Sequence, residues 1–398
     1  MKTAIINGSI LTPFTEIEHG TILIEDGKII DINTENSHHL ADTIIDAQGC
    51  YVSPGFIDIH VHGGGGADFM DGGKEAILKA ARFHMEHGTT SIVPTTVCSP
   101  YEELFDFLDA FRNAKLSNID GPNLLGIHLE GPFLSMKEKG GMDSRYVYPI
   151  DPIRYIEILD RSEDIIRWTI APELPGAIEL GDELVRRGIL PSIGHSDAIY
   201  QEILPAFEHG YIHLTHLYSA CSMLRRINAF RFLGVVESAY LINEMSVEII
   251  ADGVHLPEEL LKLICKCKPW DKITLITDAL RWAGWEMDGS EQPILNRNNG
   301  FEVIIEDGVA KLADRSVFAG SICTTDRCVR TMTTLAEVPL LNAVQMMTNN
   351  PAKVLSISDK KGSLEVGKDA DVCIFDKDID IKMVIVGGIP KFSKNIGA

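Results

Sequence analysis

The sequence predicts an α/β protein: a (β/α)8 TIM barrel with a small β-sandwich domain formed by the N- and C-terminal segments. Three observations predict it. Eight apolar, strand-like runs alternate with amphipathic helical segments through the middle of the chain. Both chain ends are β-patterned, and neither is long enough to bury a core alone. With 398 residues, the chain has room for a barrel of about 250 residues plus an accessory piece.

The elements follow in order. TAIINGSIL, GTILIEDGKIIDI and TIIDAQGCYV read as strands, with Asn7-Gly8 and Asp26-Gly27 as turn pairs. The barrel strands are FIDIHVH, TSIVPTT, LLGIHLE, IRWTIAP, ILPSIGHS, IHLTHL, SVEIIADG and ITLITDA. Helical periodicity marks YEELFDFLDAFRNA, AIELGDELVRRG and LPEELLKLICKC among the segments between them. Residues 301–320 read as a hairpin inserted late in the barrel, and KKGSLEVGKDADVCIFDKD with KMVIVGG supplies the C-terminal strands. The expected division is residues 1–53 plus 357–398 for the small domain and 54–356 for the barrel. On periodicity alone a doubly wound sheet remains open.

Composition narrows the function. The formal net charge is −21, and Lys and Arg do not cluster into a basic face, which argues against a nucleic-acid partner. No stretch approaches the roughly 18 apolar residues of a membrane span. The opening MKTAIINGSILTPF lacks a long apolar leader, and the expected location is cytoplasmic. Eight cysteines are scattered, and the CKC of Cys265 and Cys267 falls in an amphipathic helix where packing is the expected role. An anionic substrate would need local arginines against the overall field.

The chemistry lies at the strand ends. Residues 53–66 read SPGFIDIHVHGGGG. With a period of two, Asp58, His60 and His62 project to one side of a strand, and the glycines let the backbone turn after it. In a barrel the C-terminal strand ends share one rim. Here they carry His60 and His62, Glu130, His195, His216 and Asp278, with His255 just past the seventh strand. Five imidazoles and two carboxylates around one axis point to a metal-dependent hydrolase. A nitrogen and oxygen donor set favours zinc, with iron, cobalt or manganese as alternatives. One or two such ions would polarise a carbonyl and acidify water. Asp278 is then the expected general base and later acid, and His255 the contact to substrate or developing oxyanion.

Other histidines have structural readings. His84 and His87 read as surface or packing residues, and His209 and His213 as flanks of the sixth strand. His128 shares the side of Glu130, and Asp58 that of the His pair, so both are expected to support the ligands from behind.

HVHGGGGADFMD, HLEGPF, IGHSDA, THLYSA, IADGVH, TDA and FAGS, in this order, resemble the N-acetylglucosamine-6-phosphate deacetylases of the amidohydrolase superfamily. PGFIDIHVHG and GSLEVGKDADVCIFD extend the resemblance across nearly the whole chain. It implies that Glu130, His195 and His216 hold the principal metal, and that His60 and His62 hold a second ion beside Glu130. It implies that His255 meets the sugar and the acetyl carbonyl, and that Asp278 is the base. The implied reaction releases acetate from an N-acetylhexosamine 6-phosphate, in a homodimer or homotetramer whose neighbouring subunit contributes to the phosphate site.

This chain departs from the family pattern in three places. Ser219-Ala220-Cys221 stands where the family has Asn-Ala-Met against the sugar phosphate. The phosphate arginine would come from SMLRRINAFRFLG, which offers Arg225 and Arg226, with Arg231 behind them. After TDA come Trp282 and Trp285, with pocket narrowing, sugar stacking or a subunit interface as open roles. These departures keep a second substrate open, N-acetylgalactosamine 6-phosphate or another acylated amine. A non-enzymatic scaffold is the remote alternative, and the full ligand set argues against it.

Overall fold

The computed structural model describes residues 2–33, 41–284, 294–295, 302–394 and 396. The two ends of the chain meet in one eight-stranded sheet. Tyr51–Pro54 pairs antiparallel with Val372–Phe375, Cys373 standing opposite Ser53. From that seam the sheet runs through Ile381–Val386 to Ile389–Ser393 on one side. On the other it runs through Lys2–Leu11 and Glu16–Glu25 to Lys28–Asn33, and Thr43–Asp46 pairs with Lys2–Leu11 off this path. The sequence reading of a β-sandwich becomes a single hydrogen-bonded ladder. It has a core of its own, in which Ile5, Ile22 and Ile45 from the first segment meet Val372, Ile374 and Met383 from the last.

Between the ends lie parallel strands at all eight expected places, the third, LLGIHLE, divided into Asn123–Leu124 and Ile127–Glu130, and a helix follows each of the eight. They form two arcs. One holds Phe56–Val61, Thr89–Pro94 and Asn123–Leu124. The other holds Ile127–Glu130, Ile165–Ile170, Leu190–Ile193, His213–Leu214, Ser246–Ile250 and Ile273–Ile276. A parallel bridge joins Thr95 to His128, and the Asp278 amide donates to the His60 carbonyl at 2.9 Å.

Side-chain alternation explains this arrangement. In Ile165–Ile170, Arg167 and Thr169 turn one way, while Trp168 and Ile170 join the apolar core. The helices supply the other half of that core. In Pro152–Arg161 the Asp151 carboxylate accepts from the Ile153 amide at 3.0 Å, Pro152 occupies the first turn, and Tyr155, Ile158 and Leu159 form the buried stripe. The expected late hairpin is present as Glu302–Glu306 paired with Val309–Leu312. Trp282 takes none of its three expected roles: it is 1% exposed and packs with Val303, Ile305 and Ala310 beneath that hairpin. Trp285 lies outside the described residues. No helix among the described residues is long and apolar enough to cross a membrane.

Candidate metal centre and active site

The strand ends bring the expected residues together. His60 Nε2 lies 3.3 Å from His62 Nε2 and 3.5 Å from an oxygen of both Glu130 and Asp278. His62 Nε2 is 3.2 Å from Glu130 and 3.1 Å from Asp278. From the opposite arc, His195 Nε2 and His216 Nε2 stand 3.1 and 2.9 Å from Glu130 Oε1, and 3.2 Å from each other. Glu130 is thus the hub of four imidazoles.

Backbone conformation aims three of these side chains. His195, His216 and Asp278 have φ of 47°, 30° and 48°, a left-handed region that costs a non-glycine residue about 1–3 kcal/mol. Neighbours hold them there. Ser135 N donates to the His195 carbonyl and Ser321 N to that of Asp278, each at 2.9 Å. The glycine run is equally constrained. A Cβ on Gly63 would come within 2.5 Å of the Ala67 carbonyl oxygen. His84, expected at the surface or in packing, is fully buried with Nε2 2.8 Å from the Gly63 carbonyl oxygen, and burial lowers its pKa to about 4.

The donor set fits a divalent cation. Facing Nε2 atoms satisfy one another only if one carries a proton and the other does not, whereas a cation satisfies every lone pair at once. Burial pushes the Glu130 carboxyl up, but His60, His195 and His216 outweigh it and hold the group well below the usual range. Burial likewise pushes Asp278 up, and His60 and His62 bring it below its ordinary value. Among the described residues, two sets of donor atoms lie within 4.8 Å of one another: His60, His62 and Asp278, and His60, Glu130 and His216.

Behind these donor residues lies a network that sequence reasoning missed. Glu248 is fully buried, with Oε2 3.2 Å from His60 Nδ1 and accepting from the His216 amide at 3.2 Å. Its other oxygen takes the Arg167 guanidinium and faces His213 Nε2 at 3.2 Å. His213, expected to be structural, belongs to this network, while His209 pairs with Asp182 at the surface. His128 supports the site as expected: it stacks edge-on against His60 at 4.7 Å and lies 2.7 Å from Thr169 Oγ1. Asp58 orients the strand instead of an imidazole. It accepts from the His60 amide at 3.3 Å and from Thr277 Oγ1 at 2.5 Å, and burial raises it to about 7. A lone Glu in SVEII and a lone Arg in IIRWTI, each inside an otherwise apolar strand, were the available signals.

The cluster opens into a cavity of about 810 Å³. His255 lines it, with Nδ1 2.7 Å from Asp252 Oδ2 and its ring 4.6 Å from Phe318, so Nε2 is the atom presented to the cavity. Ser219 and Ala220 line it as well. Arg225 and Arg226 do not. Arg225 is paired with the Asp197 carboxylate and donates to the Asp197 carbonyl at 2.8 Å, and Arg226 is exposed on the hairpin of Arg225–Ile227 and Phe230–Phe232.

The chain is similar to known proteins over nearly its whole length. The amidohydrolase family matches residues 51–392. The N-acetylglucosamine-6-phosphate deacetylase of Bacillus subtilis (strain 168) is 34% identical over 385 residues, covering 96% of this chain and 94% of that protein. The N-acetylgalactosamine-6-phosphate deacetylase of Escherichia coli O157:H7 is 30% identical over 84% of this chain and 86% of that protein. Among solved structures, the N-acetylglucosamine-6-phosphate deacetylase of Pasteurella multocida superposes with a TM-score of 0.90 at 29% identity, covering 99% of this chain and 100% of that one. The chain belongs to the N-acetylglucosamine-6-phosphate deacetylase family of amidohydrolases.

Proposed function

We propose that this protein hydrolyses the N-acetyl amide of N-acetylglucosamine 6-phosphate, giving acetate and glucosamine 6-phosphate. One observation carries the reading. A carboxylate, Asp278, and an oriented imidazole, His255, face the same cavity as the Glu130 cluster. In this reading Glu130, His195 and His216 hold the principal divalent ion, zinc by preference, and His60 and His62 hold a second beside Glu130. When bound, the ion would supply Lewis acidity toward the amide carbonyl and an acidified water. Asp278 accepts the proton of the attacking water and returns it to the amine nitrogen as the C–N bond breaks. His255 contacts the acetyl oxygen, and Ser219 and Ala220 meet the sugar.

Acetate release by the metal-reconstituted protein tests this, with the 6-phosphate compared against its unphosphorylated form and its C4 epimer. Fast turnover of the gluco phosphate is the expected result, and no acetate from any of the three would sink the reading. A second reading, the galacto epimer, is favoured by the altered Ser219-Ala220-Cys221 stretch and by the galactosamine-specific name of the Escherichia coli relative. Faster turnover of that epimer would install it.

We also infer that the two strand arcs close into a (β/α)8 barrel over residues 54–356, with residues 1–53 and 357–398 as the accessory β domain. A homodimer or homotetramer is supported by apolar exposure around the Arg225 hairpin, where Phe230 is 73% and Met223 55% exposed. A light-scattering mass of a single chain would contradict it. Eight cysteines scattered without a paired framework support a cytoplasmic location, which cell fractionation checks.

A further inference from the structure

A chain with net charge −21 that binds a phosphorylated sugar needs a cation with capacity to spare. Among the described residues, four cationic side chains line the cavity: Lys137, Lys139, Lys311 and Arg315. Three are committed to carboxylates. Lys137 Nζ is 2.6 Å from Asp197, Lys311 Nζ is 2.7 Å from Asp307, and Arg315 Nε is 2.9 Å from Glu306. Arg225, outside the lining, is held by Asp197 as well. An anion competing for any of these must displace a carboxylate first. Lys139 differs. Among the described residues its Nζ donates to the Gly140 and Met142 carbonyls of its own loop, at 3.3 and 3.2 Å, and no carboxylate forms an ion pair with it; Asp143, which feels its charge, is held by Arg145. Both bonds are long and their acceptors are uncharged, and a phosphate oxygen, being anionic, replaces such a partner at a gain.

The loop that carries Lys139 is also fixed to the metal cluster. Ser135 N donates to the His195 carbonyl at 2.9 Å, and His195 Nδ1 lies 2.8 Å from the Glu138 carbonyl oxygen. Gly140 sits so close above the imidazole that a Cβ there would be 3.5 Å from His195 Cε1. His195 and the loop that carries Lys139 are therefore held to each other by two hydrogen bonds, and both line the cavity in which the amide and the phosphate of one sugar would have to fit.

We infer that the Lys139 ammonium is the cation within one chain that receives the substrate's phosphate, and that it sets the preference for a phosphorylated over a neutral amino sugar. This rests on the amino-sugar-phosphate reading above. The observable is the ratio of kcat/KM for N-acetylglucosamine 6-phosphate to that for N-acetylglucosamine, measured in the parent, Lys139→Met and Lys139→Arg. Partial misfolding lowers both values alike and cancels in the ratio. In Lys139→Met the ratio falls about 30-fold, mainly through KM for the phosphorylated sugar. Lys139→Arg restores most of it, and the inhibition constant of inorganic phosphate rises in parallel with the loss. A Lys139→Met ratio within about threefold of the parent's overturns the assignment while leaving the substrate reading intact. A parent that does not prefer the phosphorylated sugar overturns both.

Discussion

Replacing Asp278 by asparagine is expected to lower kcat for acetate release by about 10²–10⁴-fold, with KM changing far less. The amide has the shape of the carboxylate and lacks its basicity, so the backbone held by His60 and Ser321 need not move. What disappears is the acceptor for the proton of the attacking water and the donor to the leaving amine. Steady-state rates with excess metal measure the effect. A variant within about tenfold of the parent would remove Asp278 from the proton-transfer role.

Glu130→Gln is expected to have the other large effect, through metal content. Glu130 Oε1 faces His195 and His216 while Oε2 faces His62. Glutamine takes a negative charge out of the middle of four imidazoles and aims an N–H donor where a lone pair is wanted. Metal affinity should fall by more than about 100-fold, since loss of a mere supporting partner costs about 10–100-fold. Plasma mass spectrometry on dialysed protein reads this independently of turnover. Full metal occupancy in the variant would show that Glu130 is not a ligand.

The legible part of the site was the part governed by strand periodicity. His60 and His62 announce themselves because a period of two puts both imidazoles on one side, and Glu130, His195, His216 and Asp278 each close a short apolar run. The alternation of eight strands with helices was legible for the same reason. What escaped depends on contacts between residues far apart in sequence. Glu248 reaches His60 across 188 positions, and nothing local to SVEII names that partner. Arg225 and Arg226 looked equivalent as neighbours. Asp197, 28 residues away, distinguishes them by occupying the first. Loops were the least legible. KEKGG does not reveal which of its two lysines a distant carboxylate holds, and a tryptophan after TDA looks the same whether it meets a sugar or, as Trp282 does, fills the space under a hairpin.

The seam between Tyr51–Pro54 and Val372–Phe375 has a consequence for how the molecule is made. Ser53 donates to the Cys373 carbonyl across 320 residues. A ribosome adding about 5–20 residues per second reaches Cys373 roughly 16–64 s after Ser53 has left it. Through that interval the nascent chain carries a bare strand edge, with the isoleucine-rich core of Lys2–Leu11 and Glu16–Glu25 capped on one side only. A segment made early is therefore among the last to be completed, and the later segment that completes it is one that a premature stop removes.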